Sequence, residues 1–169
     1  MNATKWLLLI FGLLLLAAVL DLVYYYPQLP DRLATHFNIE GQPDDWSGKG
    51  LFLMMYVLLL VIMTLVFPGM LLLLPVIPVS LVNVPNKEYW FAPERIQYTH
   101  DVLGRFLLSF GIATLGFLLV TLHETMRTNL TPKPQLGDWF WIAFGIYIAV
   151  DLVITVWLFL SFRLPKNAG

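Results

Sequence analysis

Four apolar blocks, each about as long as a bilayer is thick, constrain this chain more than any other feature. A hydrocarbon core of about 30 Å takes roughly 20 helical residues to cross. Backbone inside it must satisfy its own N–H and C=O groups, which selects helices over irregular chain. The blocks predict spans over residues 5–26, 51–77, 102–123 and 139–162. Composition agrees: 12% of residues are charged, against about 25% in soluble proteins. The expectation is an all-α integral membrane protein, a four-transmembrane-helix bundle in a single membrane domain over residues 1–169.

Each span carries its own signals. Lys5 before an apolar run resembles a signal peptide, but no A-x-A-like cleavage site follows, so it is read as an uncleaved first helix. Tyr24, Tyr25 and Tyr26 mark an interface. The second span would be about 40 Å long as one helix. Pro68, Pro75 and Pro78 in or just beyond its second half predict a kink or early exit, because proline removes a backbone donor. Pro93 suits a helix start, and Asp101–Arg105 is a favourable i,i+4 pair on the segment feeding the third span. Ser109, Ala113 and Gly116 form a small-residue ladder that permits close helix contact. The stretch from Glu124 to Asp138 reads as a loop, with Asp138 the N-cap of the fourth span. Counting basic residues, Lys5, Lys87, Arg95, Arg105, Arg163 and Lys166 fall on one side and Arg32, Lys49, Arg127 and Lys133 on the other. That bias predicts N-in/C-in, with the loop between helices 1 and 2 facing outward.

This loop, residues 27–50, is too elaborate for a linker. It holds two of ten basic residues, four of eleven acids, His36 and many turn formers. Gly41-Gln42-Pro43-Asp44 is a turn signature. An ordered extracytoplasmic element is expected here, with Arg32, His36, Asn38, Asp44 and Trp46 as its candidate ligand-binding residues. Asn86, Lys87, Tyr89, Trp90, Glu94 and Arg95 mark a second ordered segment on the cytoplasmic side.

Two acids fall inside spans, where ionised carboxylates are costly and mark sites by default. Asp151 lies mid-span with Tyr147 and Thr155 four residues either side, a polar stripe suited to a proton relay or to helix packing. Asp21 lies nearer an interface, where it can reach water; Tyr25 is its expected local partner. Direct pairing with Asp151 is not expected, given about 10 Å of depth between them.

Several function classes drop out. The absence of cysteine removes disulfides, thiolate catalysis and iron–sulfur ligation. His36, His100 and His123 have no metal-site spacing, and His36 with Asp44 and Asp45 is the least poor constellation, so no metal and no cofactor are expected. No P-loop, dinucleotide fingerprint or nucleophile elbow is present, which argues against an enzyme. A near-zero net charge gives no basis for direct nucleic-acid binding.

Two stretches carry a resemblance. Leu29-Pro30-Asp31-Arg32, Thr35-His36-Phe37-Asn38, Gly41-Gln42-Pro43-Asp44 and Trp46 to Lys49 form the first; Pro85 to Trp90 with Ala92 to Arg95 form the second. Over residues 1–110 the chain resembles the bacterial membrane domain of unknown function found at the N-terminus of SdpI-type immunity proteins. The resemblance implies a multi-pass protein of the bacterial cytoplasmic membrane. By analogy it also implies a secreted peptide ligand and a cytoplasmic repressor as partners. A sensor or immunity-type binding protein is the first expectation. A small transporter or transporter subunit using Asp151, working as a homo-oligomer, is the second.

Overall fold

A computed structural model describes residues 3–165; Lys166, counted above in the charge bias, lies outside them. The chain is mostly helical, with four helices long and apolar enough to cross a membrane. These are α1 (Ala3–Tyr25), α2 (Lys49–Val66), α5 (Ile96–Thr128) and α6 (Asp138–Ser161), with the short helices α3 (Met70–Leu73) and α4 (Lys87–Trp90) between them. It is not all-α. Between α1 and α2 the chain forms an antiparallel hairpin of β1 (Arg32–Phe37) and β2 (Pro43–Gly48).

The hairpin follows from local chemistry. Pro27 follows the last residues of α1, and Asn38 and Gly41 close a turn between the strands. The Gly41 N–H donates to the Asn38 carbonyl at 2.9 Å, and the Asn38 carboxamide oxygen accepts from the Gln42 N–H at 2.9 Å. Gly41 has φ +73°, and a Cβ there would sit 2.6 Å from the Leu136 carbonyl oxygen, so two constraints demand glycine. The turn is thus centred before Pro43, which begins β2 rather than completing the turn.

α5 is the axis of the fold: α1 and α6 pack along it, and the α2–α3 region touches it through Phe67 and Leu71. The expected ladder does not make those closest approaches. Gly111 and Gly104 do, against Phe67 and Leu71, whereas a Cβ at Gly116 would meet nothing within 4 Å. Apolar clusters stack along the molecule. Phe11, Met63 and Leu115 fill the middle; Ala18, Leu29, Leu33, Phe52, Tyr56 and Met126 underlie the hairpin. Val84, Val102, Leu103 and Phe162 close the other end.

Several boundaries differ from expectation. α2 stops at Val66, not 77: past Pro68, the Gly69 N–H returns to the Thr64 carbonyl at 3.0 Å and the chain turns through short pieces. α5 spans 33 residues rather than 102–123. Its polar start runs unbroken into the third span, as expected, and residues 124–128, expected as loop, form its end. It begins at Ile96 rather than at Pro93. Gly137, not Asp138, caps α6, and Asp138 is that helix's first residue. Arg105 donates to the backbone carbonyl of Asp101 at 3.2 Å, while the Asp101 carboxylate accepts from Gln97.

Candidate functional site

The hairpin is docked, not merely tethered. Asn129, just past α5, lies against the outer edge of β1. Its Oδ1 accepts from the Ala34 N–H at 2.7 Å and its Nδ2 donates to the Ala34 carbonyl at 2.8 Å. Nδ2 also donates to the Thr125 carbonyl at 2.7 Å. A carboxamide presents one donor and one acceptor in the spacing of a peptide group, so Asn129 stands in for a third strand. On the opposite, exposed edge the Trp46 N–H, cross-strand from Ala34, donates to the neighbouring Asp45 carboxylate at 2.8 Å. At the turn, the Leu136 N–H donates to the Gly41 carbonyl at 2.9 Å. Thr128 holds the loop carrying Leu136 by accepting from the Gln135 N–H at 2.7 Å and donating to its carbonyl at 2.9 Å.

Beneath the hairpin, Leu29, Leu33 and Ala34 are buried, and the Tyr56 hydroxyl donates to the Ala18 carbonyl at 2.9 Å. Lys49 is turned inward: its ammonium donates to the Leu29 carbonyl at 2.8 Å and lies 4.8 Å from the Tyr26 ring centroid. The Ser47 hydroxyl is buried without a partner, while most other polar side chains of the hairpin face solvent. Arg32 is exposed at the start of β1. His36 Nδ1 and Asp44 Oδ1 lie 2.5 Å apart on an exposed face, and Trp46 is 40% exposed. Of the five expected ligand-binding residues, His36 and Asp44 are brought together. Asn38 serves the turn, and Arg32 and Trp46 make no side-chain hydrogen bond among the described residues.

Asp21 departs from expectation. Its partner is not Tyr25 but His123, 102 residues away on α5: His123 Nδ1 and Asp21 Oδ1 lie 2.9 Å apart. Tyr25 packs edge-on against the His123 ring at 5.2 Å between centroids. The other Asp21 oxygen is buried with no hydrogen-bonding partner. Next to His123, the buried Glu124 is held by Arg127 through two parallel bonds of 2.8 Å, a bidentate pair that satisfies a carboxylate otherwise costly to bury. His123, Glu124, Arg127 and Asn129 all fall where loop residues were expected or at that border. A polar run so close to a span end was the available signal.

Asp151 lies on the stripe of α6 that faces α5, with one oxygen buried and without a partner. One turn away, the Tyr147 hydroxyl is 3.5 Å from Thr114 Oγ1, and its ring stacks on Phe117 at 4.8 Å and 6°. Thr155 continues the stripe, half-buried.

The second ordered segment sits at the opposite end. Asn86, with φ +51°, and Trp90 both donate to the Phe162 carbonyl at 2.9 Å, so one acceptor beyond the end of α6 takes two donors. Thr99 Oγ1 donates to the Trp90 carbonyl at 2.6 Å, and Trp90 stacks on Tyr98. Lys87 donates to the Val79 carbonyl at 3.0 Å, and the Arg95 guanidinium lies 3.9 Å from the Tyr89 centroid, with Glu94 4.0 Å from it. Among the described residues no group of three or more His, Asp or Glu side chains is placed to hold a metal.

Residues 12–60 match the family described as Domain of unknown function (DUF1648). The match takes in the second half of α1, the hairpin and most of α2, and stops well short of the Asn86–Arg95 segment that the wider resemblance over 1–110 included. No curated protein and no solved structure matches the chain.

Proposed function

We propose that this multi-pass membrane protein is a non-enzymatic, SdpI-like sensor or immunity-type binding protein of the bacterial cytoplasmic membrane. It lies N-in and C-in, with the hairpin outside. The hairpin binds a secreted peptide or other envelope ligand through Arg32, His36, Asn38, Asp44 and Trp46. The inner segment, with Asn86, Lys87, Tyr89, Trp90, Glu94 and Arg95, passes the response to a cytoplasmic repressor.

The observation that carries this proposal is the hairpin itself. The backbone of β1 is bonded to Asn129 and its apolar side chains are buried on the helices, yet Arg32, His36, Asp44 and Trp46 stay exposed. A surface held this firmly by long-range bonds is pre-organised, which lowers the ordering cost of binding. It is also bonded to both ends of the α5–α6 loop, so a ligand that shifts it pulls on the two helices that reach the inner segment. Expression in a toxin-sensitive strain, followed by challenge with candidate peptide toxins, tests the proposal. Protection and binding are expected, and unchanged killing with no binding would sink it.

One observation favours a second role, as a small transporter or transporter subunit working as a homo-oligomer: the buried, partnerless oxygen of Asp151 beside the Tyr147–Thr114 contact. Reconstituted protein would then move protons or a solute, and Asp151→Asn would abolish the flux.

A further inference from the structure

From residue 50 to residue 86 the chain carries no charge, yet α2 uses this stretch only as far as Val66. The rest, broken by Pro68, Pro75 and Pro78, turns through α3 and then runs irregularly towards Lys87. Its large apolar side chains are bare: Leu72, Val76 and Leu81 are 81%, 72% and 76% exposed. A continuous apolar surface of this kind needs an apolar partner.

Depth says which one. α2 is about 27 Å long. Leu71 and Leu74, just beyond it, face Gly104 of α5. From Gly104 to His123, at the hairpin end, α5 rises about 28 Å. Both lengths approach the hydrocarbon thickness of about 30 Å, so the segment lies where hydrocarbon gives way to headgroups, on the side away from the hairpin. Its neighbours suit that level. Beside Gly104, the Arg105 guanidinium lies 5.8 Å from the Trp157 ring centroid, and tryptophan and basic residues anchor at membrane–water boundaries. Lys87 ends the uncharged stretch and donates back to the Val79 and Ser80 carbonyls at 3.0 and 3.4 Å.

The backbone fits the same place. The prolines have no N–H, and the N–H groups of Leu71, Leu74, Ile77 and Leu81 return to carbonyls three or four residues back. Few donors are left for water, yet irregular chain exposed to lipid is excluded from the hydrocarbon itself. The boundary meets both conditions.

We propose that residues 70–82 lie along the leaflet away from the hairpin, with Leu72, Val76 and Leu81 among the upper acyl chains and Lys87 at the headgroups. Lipid is the occupant because the segment continues the exposed apolar surface of α2, from Leu65 and Val66, to the depth where that surface must end. The segment thereby ties the Asn86–Arg95 region that follows it to the membrane surface. This placement rests on depth and exposure, not on the peptide-binding reading or on which leaflet is cytoplasmic.

The chain has no cysteine, so single labels can be placed on it directly. Leu72→Cys, Val76→Cys and Leu81→Cys, each carrying a nitroxide, are reconstituted in phosphatidylcholine vesicles with a nickel chelate on both sides. Power-saturation EPR then compares relaxation by oxygen, which partitions into lipid, with relaxation by the chelate, which stays in water. Glu40→Cys in the hairpin turn is the aqueous reference, and Leu152→Cys, exposed in mid-α6, is the deep one. The three labels are expected to favour oxygen, with ratios between those of the two references. Nickel-favoured relaxation like that at Glu40→Cys would put the segment in water and overturn the proposal. Ratios as high as at Leu152→Cys would overturn the boundary placement. Shielding from both relaxants would show protein as the occupant instead, and spin–spin broadening with it would identify a second copy of the chain.

Discussion

The two ends of the molecule solve one problem in different ways. At each, backbone groups left over from regular structure are taken up by side chains from far along the chain. At the hairpin end a single carboxamide, Asn129, serves both a donor and an acceptor of Ala34 and a carbonyl of its own helix. At the other end two donors, Asn86 and Trp90, converge on the lone Phe162 carbonyl. The two Ala34 groups have no spare partner; the Phe162 carbonyl has two donors. The hairpin end should therefore fail sharply on a single substitution, and the Asn86–Trp90 end should fail gradually. The family match covers the hairpin and parts of α1 and α2, but neither Asn129 nor the Asn86–Arg95 segment.

The contrast can be broken by experiment. Asn129→Ala would strand the buried Ala34 N–H and C=O and should cost about 3 kcal/mol. Protease should then cut residues 30–48 while the helices stay intact, and an uncut hairpin would show that Asn129 is dispensable. Gly41→Val combines an unfavourable positive φ with a clash against Leu136 and should cost about 2 kcal/mol. Its signature is faster hydrogen exchange in both the hairpin turn and residues 129–137. Trp90→Phe removes one of two donors to Phe162 and should cost about 1 kcal/mol in thermal unfolding; a loss as large as that of Asn129→Ala would erase the difference between the ends. Asp44→Asn acts on an exposed pair with His36 and should leave the melting temperature unchanged. If the hairpin binds a peptide as proposed, the same variant lowers that affinity, separating a ligand contact from a structural one.

Much of this was legible before any coordinates. The apolar blocks locate four helices, because crossing hydrocarbon demands length and apolarity that show in any window of the chain. Pro68 marks the break after α2, and a turn was legible at Gly41–Asp44, although it forms earlier, between Asn38 and Gln42. The strands were harder to see. β2 reads Pro-Asp-Asp-Trp-Ser-Gly, with no alternation of apolar residues, and becomes a strand only because β1 is held by Asn129 and pairs with it. The extent of α5 was hidden for the opposite reason: residues 124–128 are polar enough to read as loop, yet Glu124 and Arg127 satisfy each other at i,i+3 and extend the helix.

Sequence by itself determined what the chain can be: a set of membrane-length helices with an ordered polar insert after the first. Such properties depend on residues a few positions apart, through hydropathy, turn chemistry and proline's missing donor. Tertiary structure alone decided which polar residues meet. Asp21 joins His123 across 102 residues, and Ala34 joins Asn129 across 95. Helical and strand periodicities state which face a side chain occupies, but not which face of another element lies opposite it. That choice is made by packing α1 and α6 along α5, and only then does an isolated carboxylate acquire a partner.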